Sequence, residues 1–247
     1  MLLGDPQQLA HVSQGTHLHG SGGSVLEHML DGRDTVASDR GVLLEQSWRM
    51  HPDVCDFVSR TMYDNRLHAQ PDCARQRIES SGLSGTGLRM IPVEHVDNRG
   101  RSVKESTVIA TEIDRLLADG WYVDRSGARH RVTLDDILVV APYNAQVRCL
   151  KSKLGKDARV GTVDKFQGQE APIVFFSMAS STADDISRGM SFLFSRNRLN
   201  VAISRAQSLA IVVCSPQLLS ARCSTVEDMR LVNLLCRVRE TAQAKGH

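Results

Sequence analysis

The chain has 247 residues, enough for one large domain or two small ones with an ample core. Its 41% hydrophobic and 23% charged residues are ordinary for a globular protein, and a formal charge of +2 excludes a strongly basic coat, so any nucleic-acid binding must use a local groove. No apolar run approaches the roughly 20 residues of a membrane helix, and no basic stretch leading into an apolar one marks a secretion signal. The six cysteines include no Cys-x-x-Cys pair and sit mostly in apolar patterns, which points to reduced thiols and a cytoplasmic protein.

Met1 opens directly into Leu2-Leu3-Gly4-Asp5-Pro6, which reads as the tail of a buried strand, so the chain looks like a fragment. Residues 10–24 are small and polar. Their cluster Gly20-Ser21-Gly22-Gly23 has no following Lys-Ser or Lys-Thr, so it reads as a connection rather than a phosphate loop. His17 and His19 could place two ligands on one side of a strand, but no third ligand has a recognisable spacing, and no metal site is predicted.

Val42-Leu43-Leu44 predicts the start of a strand. Pro52, in a first helical turn, followed by Val54, Phe57, Val58 and Met62 predicts an amphipathic helix. Residues 68–87, rich in Arg, Ser and Gly, read as a surface excursion, and 88–93 as a strand that Pro92 places at an edge or an ending. Ile109, Ile113, Leu116 and Leu117 mark a helix, and 119–134 a polar loop or hairpin. The β-branched run 137–141 predicts a buried strand, and Val147, Leu150 and Leu154 a helix after it. Runs 173–178 and 209–214 read as strands buried on both faces. Between them Leu199, Ala202, Ile203 and Ala206 repeat at helical spacing and turn Asn200, Ser204 and Arg205 elsewhere. Leu231, Leu234, Leu235 and Val238 predict a last amphipathic helix. Strands alternating with helices define an α/β fold with a mostly parallel sheet.

The loop before the run 173–178 carries Thr162, Asp164, Gln167, Gly168, Gln169 and Glu170, more polar groups than a connection needs. The wording Val-Gly-Thr-Val-Asp-Lys-Phe-Gln-Gly-Gln-Glu from Val160 resembles motif V of superfamily 1 helicases, and Asn-Arg-Leu-Asn-Val-Ala-Ile-Ser-Arg-Ala from Asn197 resembles motif VI. Gly4-Asp5-Pro6-Gln7-Gln8-Leu9 resembles motif III, and Trp48-Arg49-Met50-His51-Pro52 resembles motif IV, with Trp where Tyr is commoner. Ala141-Pro142-Tyr143-Asn144-Ala145-Gln146 resembles a further helicase block. The resemblance implies a RecA-like, P-loop-NTPase-type sheet flanked by helices. It makes residues 1–40 the remnant of a first RecA-like domain and 41–247 the second. The motif wording is especially similar to bacterial proteins that fuse a RecB-family nuclease to such a helicase.

Carried over by position, Arg49 and Arg205 are arginine fingers, planar and permanently charged groups suited to the charge that spreads over a transferring phosphoryl group. Gln8 matches the residue that positions the attacking water, since an amide can accept and donate at once. Glu170 and Gly168 fall in the nucleotide-binding end of motif V, Glu170 at the ribose, and Trp48 offers a ring to the adenine. Tyr143, Asn144, Thr162 and Asp164 match blocks lining the single-strand track, with DNA the expected strand ahead of RNA. Taken alone, Arg205 also reads as a solvated arginine, Glu170 as a solvated or capping carboxylate, and Trp48 as a core ring.

No Gly-x-x-x-x-Gly-Lys-Ser/Thr occurs, nor an apolar strand ending in Asp-Glu, so the chain lacks its own P-loop and the cradle for ATP and Mg2+ is expected in an upstream RecA-like domain. The sequence therefore reads as the second half of a helicase ATPase site, unable to turn over ATP alone. The competing reading is a non-catalytic RecA-like module that binds nucleic acid or completes a partner's site.

Overall fold

The computed structural model describes residues 3–9, 24–186 and 189–244. In chain order its elements are α1 (Val25–Leu30), β1 (Gln46–Ser47), α2 (Pro52–Met62), β2 (His68–Ala69), β3 (Arg77–Glu79), β4 (Gly87–Pro92), α3 (Val103–Asp119), β5 (Trp121–Val123) and β6 (Arg129–Arg131). There follow β7 (Ile137–Val140), α4 (Asn144–Leu154), β8 (Arg159–Gly161), β9 (Ala171–Ser177), α5 (Met190–Leu193), α6 (Arg196–Ser204), β10 (Ala206–Cys214) and α7 (Val226–Ala244). His17 and His19 and the glycine cluster at 20–23 lie outside the described residues.

The central layer is a five-stranded sheet in the order β4-β10-β9-β7-β8, with every neighbouring pair parallel. Period-two alternation splits its side chains between two cores. Leu138, Val140, Val174, Phe176, Ala210 and Val212 join a cluster with residues of α2, α6 and α7. Ile137, Val139, Ile173, Phe175, Leu209, Ile211 and Val213 join the opposite cluster with residues of α3 and α4. Both faces are covered, which is why these strands read as continuous apolar runs rather than alternating ones. Among the described residues strand β4 pairs only with β10, and it ends at Pro92, where a missing N–H costs no ladder bond on the side away from β10.

Three expectations are corrected. Val42 and Leu44 are 88% and 83% exposed and form no strand; pairing begins only at Gln46, opposite His68. Apolar residues without a neighbour to cover them do not make a strand. Residues 68–87 are not a free excursion, because β3 pairs with β5, and β5 with β6, in a separate antiparallel sheet over the buried Ile78. The third concerns α6, whose supposed polar side is buried at Asn200, Ser204 and Arg205.

From the segment 1–40, Pro6, Gln7, Gln8 and Asp34 bond to side chains of α6. Asn197 Nδ2 donates to Gln8 O at 2.6 Å, Asn200 Nδ2 to Gln7 O at 2.8 Å, and Arg196 donates both Nη atoms to Asp34 at 2.5 Å each. The Asn200 NH2 is satisfied by Gln7 O and the Tyr63 hydroxyl inside a face that otherwise packs hydrocarbon, while its buried Oδ1 has no partner among the described residues. Among the described residues no helix is long and apolar enough to cross a membrane.

Candidate nucleotide and nucleic-acid site

Because the sheet is parallel, the singled-out residues sort to its two ends. Arg205 follows α6 and Glu170 precedes β9, so both stand at the amino-terminal edge, where His51 N donates to Gln207 O at 2.7 Å and brings Trp48 and Arg49 alongside. Tyr143, Asn144, Thr162 and Asp164 follow β7 and β8, at the carboxyl edge. Helix α6 joins the two groups, and its rise of about 1.5 Å per residue puts Arg198 and Arg205 on the order of 10 Å apart.

Arg205 is only 2% exposed, which overturns the solvated reading. Its Nε donates to Val201 O at 3.3 Å, Nη1 to Gln169 O at 3.3 Å and Nη2 to Gln8 Oε1 at 3.4 Å. All three acceptors are neutral, and among the described residues no carboxylate lies within ion-pair distance of it. Burial, and then the charge of Arg49, lower its pKa from the usual arginine value, against the opposing charges of Glu170 and Asp5. A guanidinium so far above neutrality stays charged regardless. The fold thus holds a buried cation that a carboxylate does not neutralise, an arrangement that costs stability and attracts an anion.

Arg49 donates Nε to Glu170 Oε2 at 2.5 Å and Nη1 to Ser204 O at 3.0 Å, and its side chain is 31% exposed. Gln8 donates Nε2 to Asp5 Oδ2 at 2.9 Å, which turns its Oε1 toward Arg205. Burial tends to raise the pKa of Glu170, but hydrogen bonds from Arg49 and Gln207 and the charges of Arg49 and Arg205 outweigh it and hold the carboxyl below its usual range. Gly168 adopts φ +82 with open space where a Cβ would be, so its contribution is the left-handed turn that brings Gln169 and Glu170 into β9. Trp48 is 62% exposed, so the core-packing reading of its ring fails.

At the other edge Asn144 and Asp164 are exposed and Thr162 is half-buried, while Tyr143 is 8% exposed. The Tyr143 ring packs between Gly100 and the Phe192 ring, whose centroid is 5.5 Å away, so it supports the edge from beneath. Arg198 lies 4.4 Å above the Phe192 ring and 3.4 Å from Asp164 Oδ2, tying α6 to the motif V loop. Gly100 has φ +98, and an added Cβ would meet the Tyr143 ring at 3.0 Å. Gly100→Ala is therefore expected to destabilise the domain by about 1–3 kcal/mol, checked by urea denaturation.

Sequence reasoning missed the polar cluster under this edge. Gln146 is fully buried; its Nε2 donates to Ser177 Oγ at 2.8 Å and to Ser102 O at 3.1 Å, and its Oε1 accepts from Ser102 N at 2.7 Å. Glu105, also fully buried, accepts from Ser177 Oγ at 2.6 Å and from Ala179 N, and stands 2.8 Å from His95 Nε2. Ser102-x-x-Glu105 has the wording of a helix capping box. Ser102 does cap α3, but the Glu105 side chain reaches the end of β9 instead.

With this geometry in place, comparison with known proteins gives the class. A protein-family model described as an AAA domain matches residues 22–217. The chain is 30% identical over 252 residues to the putative helicase mov-10-B.1 of Danio rerio, with 89% of this chain and 25% of that protein covered. It is 37% identical over 257 residues to the probable RNA helicase armi of Drosophila melanogaster, covering 89% and 21%. It is 27% identical over 232 residues to the DNA-binding protein SMUBP-2 of Mesocricetus auratus, covering 87% and 22%. The chain belongs to this AAA domain family and is a helicase-type domain within it. It spans about a quarter or less of the length of these relatives.

Proposed function

We propose that this domain is the C-terminal half of an ATP-dependent nucleic-acid helicase or translocase of superfamily 1, working against a P-loop-bearing RecA-like domain. The observation that carries the reading is Arg205, 2% exposed, without a carboxylate partner among the described residues and hydrogen-bonded to Gln8. Its charge suits an anion that arrives with the substrate, and the γ-phosphoryl group of ATP is such an anion.

In this reading Arg49 and Arg205 stabilise the charge that spreads over the phosphoryl oxygens as the bond to the leaving group loosens. Gln8 accepts from the attacking water and donates toward phosphate, while Glu170 takes the ribose and Trp48 lies against the adenine. Mg2+ would be held mainly by the P-loop-bearing domain and would supply charge neutralisation at the phosphates, leaving Arg49 and Arg205 to meet the charge that develops on the transferring group. Asn144, Thr162 and Asp164 touch the backbone of a single strand without reading its sequence, and Tyr143 backs them. Relatives named for RNA and for DNA both align, so the strand is single-stranded nucleic acid of either kind. The motif wording adds a RecB-family nuclease domain to the proposed partners, and the unpaired cysteines suggest the cytoplasm as the compartment.

The test uses the purified 247-residue chain. It is expected to show no measurable ATP hydrolysis, and to bind single-stranded DNA and RNA weakly by fluorescence anisotropy. Affinity should fall on the order of tenfold between about 50 and 200 mM salt, as two or three phosphate contacts imply. Steady strand-stimulated turnover by this chain alone, or tight binding indifferent to salt, would contradict the reading.

A further inference from the structure

Glu170 does not stand alone at the nucleotide edge. Its Oε1 accepts from Gln207 Nε2 at 2.8 Å, and Gln207 Oε1 is 3.1 Å from the Tyr122 hydroxyl. Gln207 lies just past Arg205 in β10, and Tyr122 lies in β5 of the separate antiparallel sheet. The direction of the chain follows from the chemistry of its members. An ionised carboxylate can only accept, so the amide must present its NH2 to Glu170 and its oxygen to Tyr122, whose hydroxyl must then donate. Burial, followed by the charges of Asp124, Asp136 and Glu170, pushes the Tyr122 hydroxyl up to about 12, so it keeps its proton at any physiological pH.

We propose that Gln207 and Tyr122 are positioning residues for nucleotide recognition, fixing the Glu170 carboxylate so that its remaining lone pairs meet the ribose hydroxyls. The inference rests on the reading of Glu170 as the ribose partner given above. One carboxylate oxygen is held by Gln207 and the other by Arg49, so the group can neither rotate nor withdraw. Its side chain is nonetheless 44% exposed, which leaves an open flank for a ligand. Each carboxylate oxygen can accept two hydrogen bonds, so a diol can be added without displacing either protein donor. The relay also makes the small antiparallel sheet part of the nucleotide site, although none of its residues falls in a helicase motif.

The experiment measures KM and kcat for ATP and for 2′-deoxy-ATP in the complete helicase, with a P-loop-bearing domain present. Gln207→Met, close to glutamine in shape, is expected to raise KM for ATP on the order of tenfold with kcat within about twofold, the pattern of lost uniform binding, equal in ground and transition states. The preference for ATP over 2′-deoxy-ATP is expected to shrink in parallel. Tyr122→Phe, which removes only the hydroxyl, should move both quantities the same way by about two- to threefold. In a Glu170→Ala background Gln207→Met should add nothing, because its partner is gone. An unchanged preference in Gln207→Met, or an effect of full size in the Glu170→Ala background, overturns the relay while leaving the ribose reading of Glu170 intact. A parent protein that treats the two nucleotides alike, with Glu170→Ala without effect, overturns that reading and the relay together.

Discussion

Under the proposed function, Arg205→Ala in the full-length protein is expected to lower kcat for ATP on the order of 10²-fold or more, since arginines that serve phosphoryl transfer from a neighbouring domain are worth about 10³ to 10⁵ in rate. In that proposed role the loss would fall on kcat, because the charge on a transferring phosphoryl group is largest in the transition state. Arg205→Lys should recover little, for a point charge cannot reproduce three donors aimed at Val201, Gln169 and Gln8. The unliganded protein should not be destabilised by the loss of an unneutralised buried cation, and its melting temperature is expected to hold or rise. Turnover within about threefold of the parent, roughly 0.65 kcal/mol of barrier, would remove Arg205 from the catalytic residues.

The second large effect is on stability. Glu105→Ala deprives the Ser177 hydroxyl, the Ala179 N–H and the His95 ring of a shared acceptor in a site with no solvent exposure. Stranding buried partners of a carboxylate in this way costs about 3–5 kcal/mol. For a domain of this size that is a fall of roughly 6–20 °C in Tm, measured by calorimetry. Ala179 has φ +58, a left-handed conformation that its N–H to Glu105 and its carbonyl, accepting from Gly100 N at 2.9 Å, hold in place. Loosening it should also weaken single-strand binding, because Gly100 supports the Tyr143 ring. A Tm within about 2 °C of the parent would mean that the cluster is not a structural clamp.

Much of the fold was legible because parallel strands buried on both faces announce themselves as apolar runs, as at residues 137–141, 173–178 and 209–214. The helix at Pro52 was equally plain, its first turn marked by Pro and its buried face by Val54, Phe57 and Val58. Strand β3 was not legible: three residues long, it shows only Ile78 inward between two charged neighbours. The burial of Arg205 was hidden for a different reason. An arginine at the edge of an apolar helix face normally reaches water, and only the docking of Gln8 and Gln169 against it closes that route.

The candidate site shows the same division. Short motifs singled out Arg49, Glu170 and Gln8 for the proposed phosphoryl chemistry, and the folded chain pairs Arg49 with Glu170 and Gln8 with Arg205. The supporting shell of Glu105, His95, Gln207 and Tyr122 had no such signature, since its members meet only after residues up to 85 positions apart are folded together. Tyr143 carried a motif signal, yet its 8% exposure places it beneath the edge that Asn144, Thr162 and Asp164 present.

In the proposed function the buried Arg205 guanidinium serves the transition state for phosphoryl transfer. The most direct test of that role is the affinity of the complete helicase, parent and Arg205→Ala, for magnesium ADP–aluminium fluoride beside a non-hydrolysable ATP analogue. The variant is expected to lose on the order of 100-fold in affinity for the transition-state mimic while binding the ATP analogue within about threefold of the parent. Equal losses for the two ligands, or none for either, would contradict that role.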